Sequence, residues 1–413
     1  MSPSPITVVG GSYGEECAYP RLQLYRGSGG RAAALLSSLK VKVSLHTITG
    51  PQLTSIFESI ASKLEYTLIA HHGSEDIWFR YRHPLGKPTI HHSLNIANLK
   101  IPIISSELAL VYGMIEGRPP IHAKRVVYDP QDGIKSKPFD INGSTAEELA
   151  LVVSHSEGEA LTGESDCTKI AERLFEKPNV TVVVVKCGPQ GALVKTSMIH
   201  QWIRPFPTYH VHKIGSGDAF SAAFAYAWLI EGQTPVSSAW FASRITAAYV
   251  ELGQDSIDSN LLPTYREEAK TAEINFVGQG LREIPDTQIY LAAPFFNTAE
   301  QWRVDEVRDA LKDMGFKVFS PIHDVGIGPS EEVTPADLFG LEQSGVVIAL
   351  LDGLDPGTVF EVGYARAKGI PVVVVAESVN PELLTMIIGS GCELTTDLST
   401  GIYAVCWHLM GDV

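Results

Sequence analysis

Residues 346–375 read VVIALLDGLDPGTVFEVGYARAKGIPVVVV. A continuous apolar run leads into an acidic, glycine-bearing loop, then a helical segment carrying Glu361, then a second valine-rich run. Runs of strand length that are apolar throughout predict strands buried on both faces of a parallel sheet. Helical spacing puts Thr358, Glu361 and Ala365 near one face, so the helix turns one carboxylate toward the loop before it. A carboxylate in the first turn of a helix at the carboxyl edge of a parallel sheet sits where open α/β folds take ligands.

The same alternation extends in both directions. Upstream of it, 289–293 and 317–320 read as strands, 298–314 as a helix capped by Thr298 and stopped at Gly315, and 335–343 as a helix opened by Pro335. A further helix and strand close the chain. Nearer the N-terminus, strand-like runs at 6–9, 66–70, 151–153, 180–186 and 192–194 alternate with helical periodicity at 30–39, 53–64 and 145–150. Long apolar helices are expected at 219–230 and 236–252, followed by a polar stretch, 254–286, without sustained periodicity before Glu273. The expected fold class is therefore α/β, with two doubly wound three-layer domains. The boundaries read as 1–270 and 287–413, joined by a linker over 271–286.

A chain of 413 residues with 45% hydrophobic and 19% charged residues suits such a pair of soluble domains. A formal charge of −15 argues against a nucleic-acid surface, which needs a basic face. No apolar run is long enough for a membrane span, and MSPSPITVVGG lacks the parts of a signal peptide. Five scattered cysteines point to a reduced, cytoplasmic protein. The thirteen histidines form no metal-binding pattern, so no tightly bound metal is expected.

Residues 287–413 carry IYLAAPFF beginning at Ile289, SPIHDVGIG from Ser320 to Gly328, Asp337, and the DPGTVFEVGYA core with Asp355 and Glu361. These features resemble the nucleoside 2-deoxyribosyltransferase and nucleotide N-glycosidase family, whose domain is flavodoxin- or Rossmann-like. The resemblance implies cleavage of a C1′–N bond. A carboxylate below the sugar stabilises or traps an oxocarbenium-like centre, and a second, protonated carboxyl assists the leaving base. It implies Glu361 as nucleophile, Asp337 and Asp355 as base-side acid and orienting group, and Tyr290 as the residue positioning Glu361. Gly353 and Gly357 would admit backbone amides to the sugar or a phosphate, with His323 and Asp324 in the second substrate loop. The segment LLTMIIGSG, from Leu383 to Gly391, looks more like the 5′-monophosphate hydrolase branch, where Thr385 or Ser390 would help hold the phosphate. No cofactor is implied for this domain; a small-molecule nucleoside or nucleotide is the implied partner, in a homo-oligomer.

The segment KIGSGDAFSAAFAYAWLIEG, from Lys213 to Gly232, resembles the second signature of the ribokinase-like (PfkB) carbohydrate kinases. Gly215, Ser216 and Gly217 would form an anion hole at a helix N-terminus, and Asp218 would be the base that deprotonates the acceptor hydroxyl. VVSHSEGEALTG resembles that family's magnesium-associated motif, with Glu157 as its glutamate, and VVVVKCGPQGALV the strand–turn–strand around its nucleotide site. ATP and Mg²⁺ are the cofactors this implies. The chain departs from the pattern at Ser154, where the family has asparagine, and at His212 or Lys213, where it has aspartate. The family's glycine pair survives only as GSGGR, from Gly27 to Arg31. Too few residues precede it for a ribokinase-type lid. Three readings therefore stand: a glycosidic-bond enzyme with a fused kinase-like domain, a nucleoside or sugar kinase with an accessory salvage domain, or a nucleotide-sensing pseudokinase fusion.

Overall fold

The structure, a computed structural model, describes residues 5–91, 101–131, 133–276 and 282–413. The chain divides into two compact units, Met1–Phe206 with His212–Leu281, and Pro207–Val211 with Arg282–Val413.

The first unit is built on strands β1 (Ile6–Val9), β4 (Val43–Thr49), β5 (Thr67–His72), β8 (Ile104–Tyr112), β9 (Ile121–Asp129), β10 (Thr145–Ser154), β11 (Val180–Lys186), β12 (Ala192–Lys195) and β13 (His200–Ile203). They form one nine-stranded sheet in the order β13-β12-β11-β10-β9-β8-β1-β4-β5. All neighbours run parallel except the hairpin pairs β11–β12 and β12–β13. A second, four-stranded sheet joins β2 (Gly14–Cys17), β3 (Leu22–Tyr25), β6 (Trp78–Tyr81) and β7 (Thr89–His91). The helices are α1 (Gly27–Ser38), α2 (Pro51–Leu64), α3 (His155–Thr162), α4 (Cys167–Phe175), α5 (Ser216–Ala225), α6 (Pro235–Leu252) and α7 (Leu262–Asn275). Helix α1 crosses the end of β1 at two glycines. A side-chain carbon on Gly29 would lie 2.6 Å from the carbonyl of Gly10, so only glycine allows this approach.

Several expectations need correction here. Residues 145–150 belong to strand β10, not a helix: TAEELA has helical propensity, but pairing with β9 and continuity with the buried run 149–153 override it. The expected helix over 219–230 gives way to a π-helical turn at Tyr226–Ile230. Helix α7 occupies part of the stretch read as aperiodic. Its buried stripe is only Leu262, Tyr265 and Ala269, too sparse to stand out among charged residues. It runs on to Asn275, within the expected linker, of which residues 277–281 lie outside the described residues. The small sheet draws β6 and β7 from far along the chain, which counting residues before GSGGR could not reveal.

The second unit is a five-stranded, all-parallel sheet of β14 (Gln288–Ala292), β15 (Lys317–Phe319), β16 (Ser344–Leu350), β17 (Val372–Val375) and β18 (Glu393–Thr395), in the order β15-β14-β16-β17-β18. Its helices are α8 (Thr298–Asp313), α9 (Pro321–Asp324), α10 (Ser330–Glu342), α11 (Pro356–Ala367), α12 (Thr385–Gly389) and α13 (Leu398–Met410). The valines of β16 and β17 are fully buried, as sheet faces covered on both sides require. Strand order reverses between β14 and β16, and in such sheets the crevice beyond that switch point is where ligands bind. Helix α10 begins at Ser330 and holds Pro335 in its interior, so Asp337 lies in mid-helix and not at a helix start. A proline read as an N-terminal signal here only removes one hydrogen bond from a helix that packing sustains. Among the described residues, no helix is long and apolar enough to cross a membrane.

Candidate functional site

Tyr290 stands on β14 at the switch point, fully buried, its ring stacked on Phe319 at 5.5 Å between centroids. Its hydroxyl donates to Glu361 Oε1 at 2.7 Å. Glu361 lies in the second turn of α11 rather than the first, because Pro356 opens that helix. Thr358, Val362 and Ala365 face the core from α11, which leaves Glu361 half-buried at the edge of that face. Burial pushes its carboxyl up to about 7. The Tyr290 hydrogen bond opposes this, and the neighbouring charges of Asp337 and Asp355 add to it. Near the helix N-terminus the dipole would lower that value, so burial and like charge prevail. Burial also raises the carboxyl of Asp337, and its Oδ1 is buried without a hydrogen-bond partner.

Asp355 has a structural task as well. It is the N-cap of α11, accepting from Thr358 N at 2.8 Å and Thr358 Oγ1 at 3.0 Å. The loop before it turns through Gly353 and Leu354, both at positive φ, and is tied down at Asp352. Asp352 accepts from Arg303 Nη1 at 2.7 Å and Ser378 N at 2.8 Å, an anchor absent from the reading of the sequence. Gly357 occupies the second helical position of α11, where an N–H has no intrahelical acceptor.

Tyr290, Asp337 and Asp355 are thus each brought within electrostatic range of Glu361. The other expected ligand residues are engaged locally. His323 lies in the short helix α9, not a loop, with Nδ1 3.0 Å from Ser320 Oγ and Nε2 3.0 Å from Asp305. Asp324 accepts from Ser320 N. Thr385 Oγ1 donates to the Glu382 carbonyl, and Ser390 Oγ to that of Ile387. Both hydroxyls satisfy turns of their own backbone.

In the first unit the GSGD turn opens α5, with Gly215 at φ 79° and Asp218 in the first helical turn. Asp218 is not free. Its Oδ2 accepts from Arg31 Nη1 at 2.5 Å and its Oδ1 from Gln131 Nε2 at 3.1 Å. Arg31 is 1% exposed and gives its remaining donors to Tyr249 and Glu15. Its guanidinium lies against Gly215, where a side-chain carbon would come within 2.1 Å of it. Burial raises Asp218 to about 6 although Arg31 opposes that shift. Lys213 Nζ donates to Ser216 Oγ, and Lys186 Nζ lies 3.5 Å from where a side chain on Gly217 would begin. Lys186 itself is held by Asp129 at 2.6 Å.

Glu157 is the third residue of α3, in a capping box with Ser154: Ser154 N donates to Glu157 Oε2 at 2.7 Å, and Glu157 N to Ser154 Oγ. The S-x-x-E spacing of SHSE announces this box, and the serine that departs from the family pattern supplies it. Magnesium needs uncommitted carboxylate oxygens. Here one oxygen of Glu157 is taken by its cap, one of Asp129 by Lys186 and one of Asp218 by Arg31. Arg31, Glu15 and Asp129 were not singled out in the sequence. The available signal was an arginine opening the apolar run RAAALL, since a buried cation requires partners.

Residues 289–394 match the family model for nucleoside 2-deoxyribosyltransferase, and residues 149–260 match that of the pfkB family carbohydrate kinases. No curated protein matches the chain. Similar solved structures include a ribokinase from Thermotoga maritima, 19% identical, covering 66% of this chain and 100% of that one with a TM-score of 0.46. The tetrameric inhibited form of phosphofructokinase-2 from Escherichia coli is 14% identical, covering 65% and 99% with a TM-score of 0.47. A probable sugar kinase from Rhizobium etli is 12% identical, covering 66% and 100% with a TM-score of 0.49.

Proposed function

We propose that the second unit cleaves the N-glycosidic bond of a nucleoside or nucleoside 5′-monophosphate through Glu361, passing the glycosyl group to water or to a second base. The observation that supports this reading is the Tyr290–Glu361 hydrogen bond at 2.7 Å, which holds one carboxylate against the strand at the sheet's switch point. The ionised Glu361 attacks C1′ as the C1′–N bond breaks. Asp337, whose burial favours its protonated form, gives its proton to the departing base. The resulting glycosyl ester is resolved when water or another base attacks C1′, with Asp337 as the returning base. Asp355 holds the helix that presents Glu361 and keeps a negative charge beside it.

The test is release of free base from a panel of nucleosides and 5′-monophosphates, each with and without a second base in the mixture. Base release without an added acceptor identifies hydrolysis; release only with one identifies exchange. Equal behaviour of the wild type and Glu361→Ala on every substrate would sink the proposal.

For the first unit, Arg31 favours a domain that does not transfer phosphoryl groups. A base whose two oxygens already accept from a buried guanidinium and from Gln131 is a weaker acceptor for the proton of a substrate hydroxyl. Acceptor-dependent ATP turnover that disappears in Asp218→Asn would overturn this reading.

A further inference from the structure

Cys167 and Cys187 belong to the first unit, whereas Glu361 belongs to the second. Cys167 is the first residue of the nine-residue helix α4, and Cys187 follows the last residue of β11. Their sulfurs are 3.0 Å apart, and both residues are partly exposed. The other cysteines, Cys17, Cys392 and Cys406, are buried.

We propose that Cys167 and Cys187 form a peroxide-responsive dithiol that closes to an intramolecular disulfide. Closure brings the sulfurs together by about 1 Å, since a disulfide bond is about 2.05 Å long. Both side chains already point at one another at the rim of the core. The contact with Cys187 lowers the pKa of Cys167, against burial and the charge of Asp166, and its place at a helix N-terminus also favours the thiolate. The thiolate attacks one oxygen of hydrogen peroxide; the O–O bond breaks, hydroxide leaves, and Cys167 becomes a sulfenic acid. The Cys187 sulfur then attacks that of Cys167, the S–O bond breaks, and water departs with the Cys187 proton. In sum, two thiols lose two electrons and two protons to one peroxide, which becomes two waters. The bond ties the start of α4 to the tight turn after β11, where Cys187 N donates to Gly191 O at 2.8 Å. It thereby restrains the strand end that carries Lys186 against Asp129.

The experiment treats the reduced full-length protein with a small excess of hydrogen peroxide and follows intact mass, free thiols and peptide maps without reduction. The expected result is a loss of two hydrogens and of two thiols together, with the peptides of Cys167 and Cys187 linked within one chain. Dithiothreitol should reverse it, and these two thiols should react at least about tenfold faster than the three buried ones. In Cys187→Ser a sulfenic acid on Cys167 should accumulate and be trapped by dimedone. Oxygen additions without a linked pair, links between chains, or oxidation no faster than at Cys17, Cys392 and Cys406 would each overturn the proposal.

Discussion

Replacing Glu361 with Gln should abolish glycosidic cleavage and, at alkaline pH, make the protein more stable. The carboxyl is raised from an ordinary 4.5 to about 7, chiefly by burial. A folded-state value above the unfolded one means that the native protein holds the proton more tightly. Ionisation of Glu361 therefore opposes folding by an amount that is negligible below pH 4.5, grows up to pH 7, and is constant above it. The span corresponds to about 3 kcal/mol at most, and solvent at the half-buried carboxyl reduces it to about 1–3 kcal/mol. Gln keeps an acceptor for the Tyr290 hydroxyl but carries no charge. Urea unfolding of both proteins at pH 5 and pH 8 checks this: the variant's advantage should be small at the lower pH and near its full value at the higher. Cleavage by the variant should fall roughly 10³-fold or more. In the wild type, kcat/KM should climb about tenfold per pH unit before levelling near pH 7. Parallel stability profiles for the two proteins, or a variant less stable at pH 8, would refute the claim that this carboxylate is held in a desolvated site.

Tyr290→Phe removes the hydrogen bond that favours ionised Glu361, so the acidic limb of the pH–rate profile should move upward by about one pH unit. An unmoved limb would mean that Tyr290 only packs. Asp355→Ala should cost about 1 kcal/mol through loss of the α11 cap, while Asp355→Asn retains it. If both lose activity equally with stability preserved in the Asn variant, the charge matters beyond capping, as rates and melts measured side by side will tell. Arg31→Met strands Glu15 and Asp218 without their cation and should destabilise the first unit by about 3–5 kcal/mol, read in denaturant titrations. A neutral effect would show that the buried network carries no stability.

Much of the molecule was legible one residue at a time. Apolar runs of strand length marked the buried parallel strands, and the helical phase of Thr358 and Ala365 placed Glu361 beside the core face of α11. What failed had local signals pointing the wrong way. TAEELA looked helical until two neighbouring strands claimed it, and Pro335 looked like a helix start until the turns before it proved helical. Thr385 and Ser390 each donate their hydroxyl to a carbonyl of their own turn, a local contact the resemblance does not show.

The sequence by itself determined that there are two α/β units and that a glutamate follows an acidic turn at a sheet edge, because periodicity and turn chemistry are local properties. Only the tertiary structure decided which partners the carboxylates meet. Tyr290 and Glu361 are separated by 71 residues, and Arg31 and Asp218 by 187. Whether an acid is held by a buried tyrosine or paired with a buried guanidinium depends on charges and solvent exclusion contributed by distant segments, which no local pattern encodes.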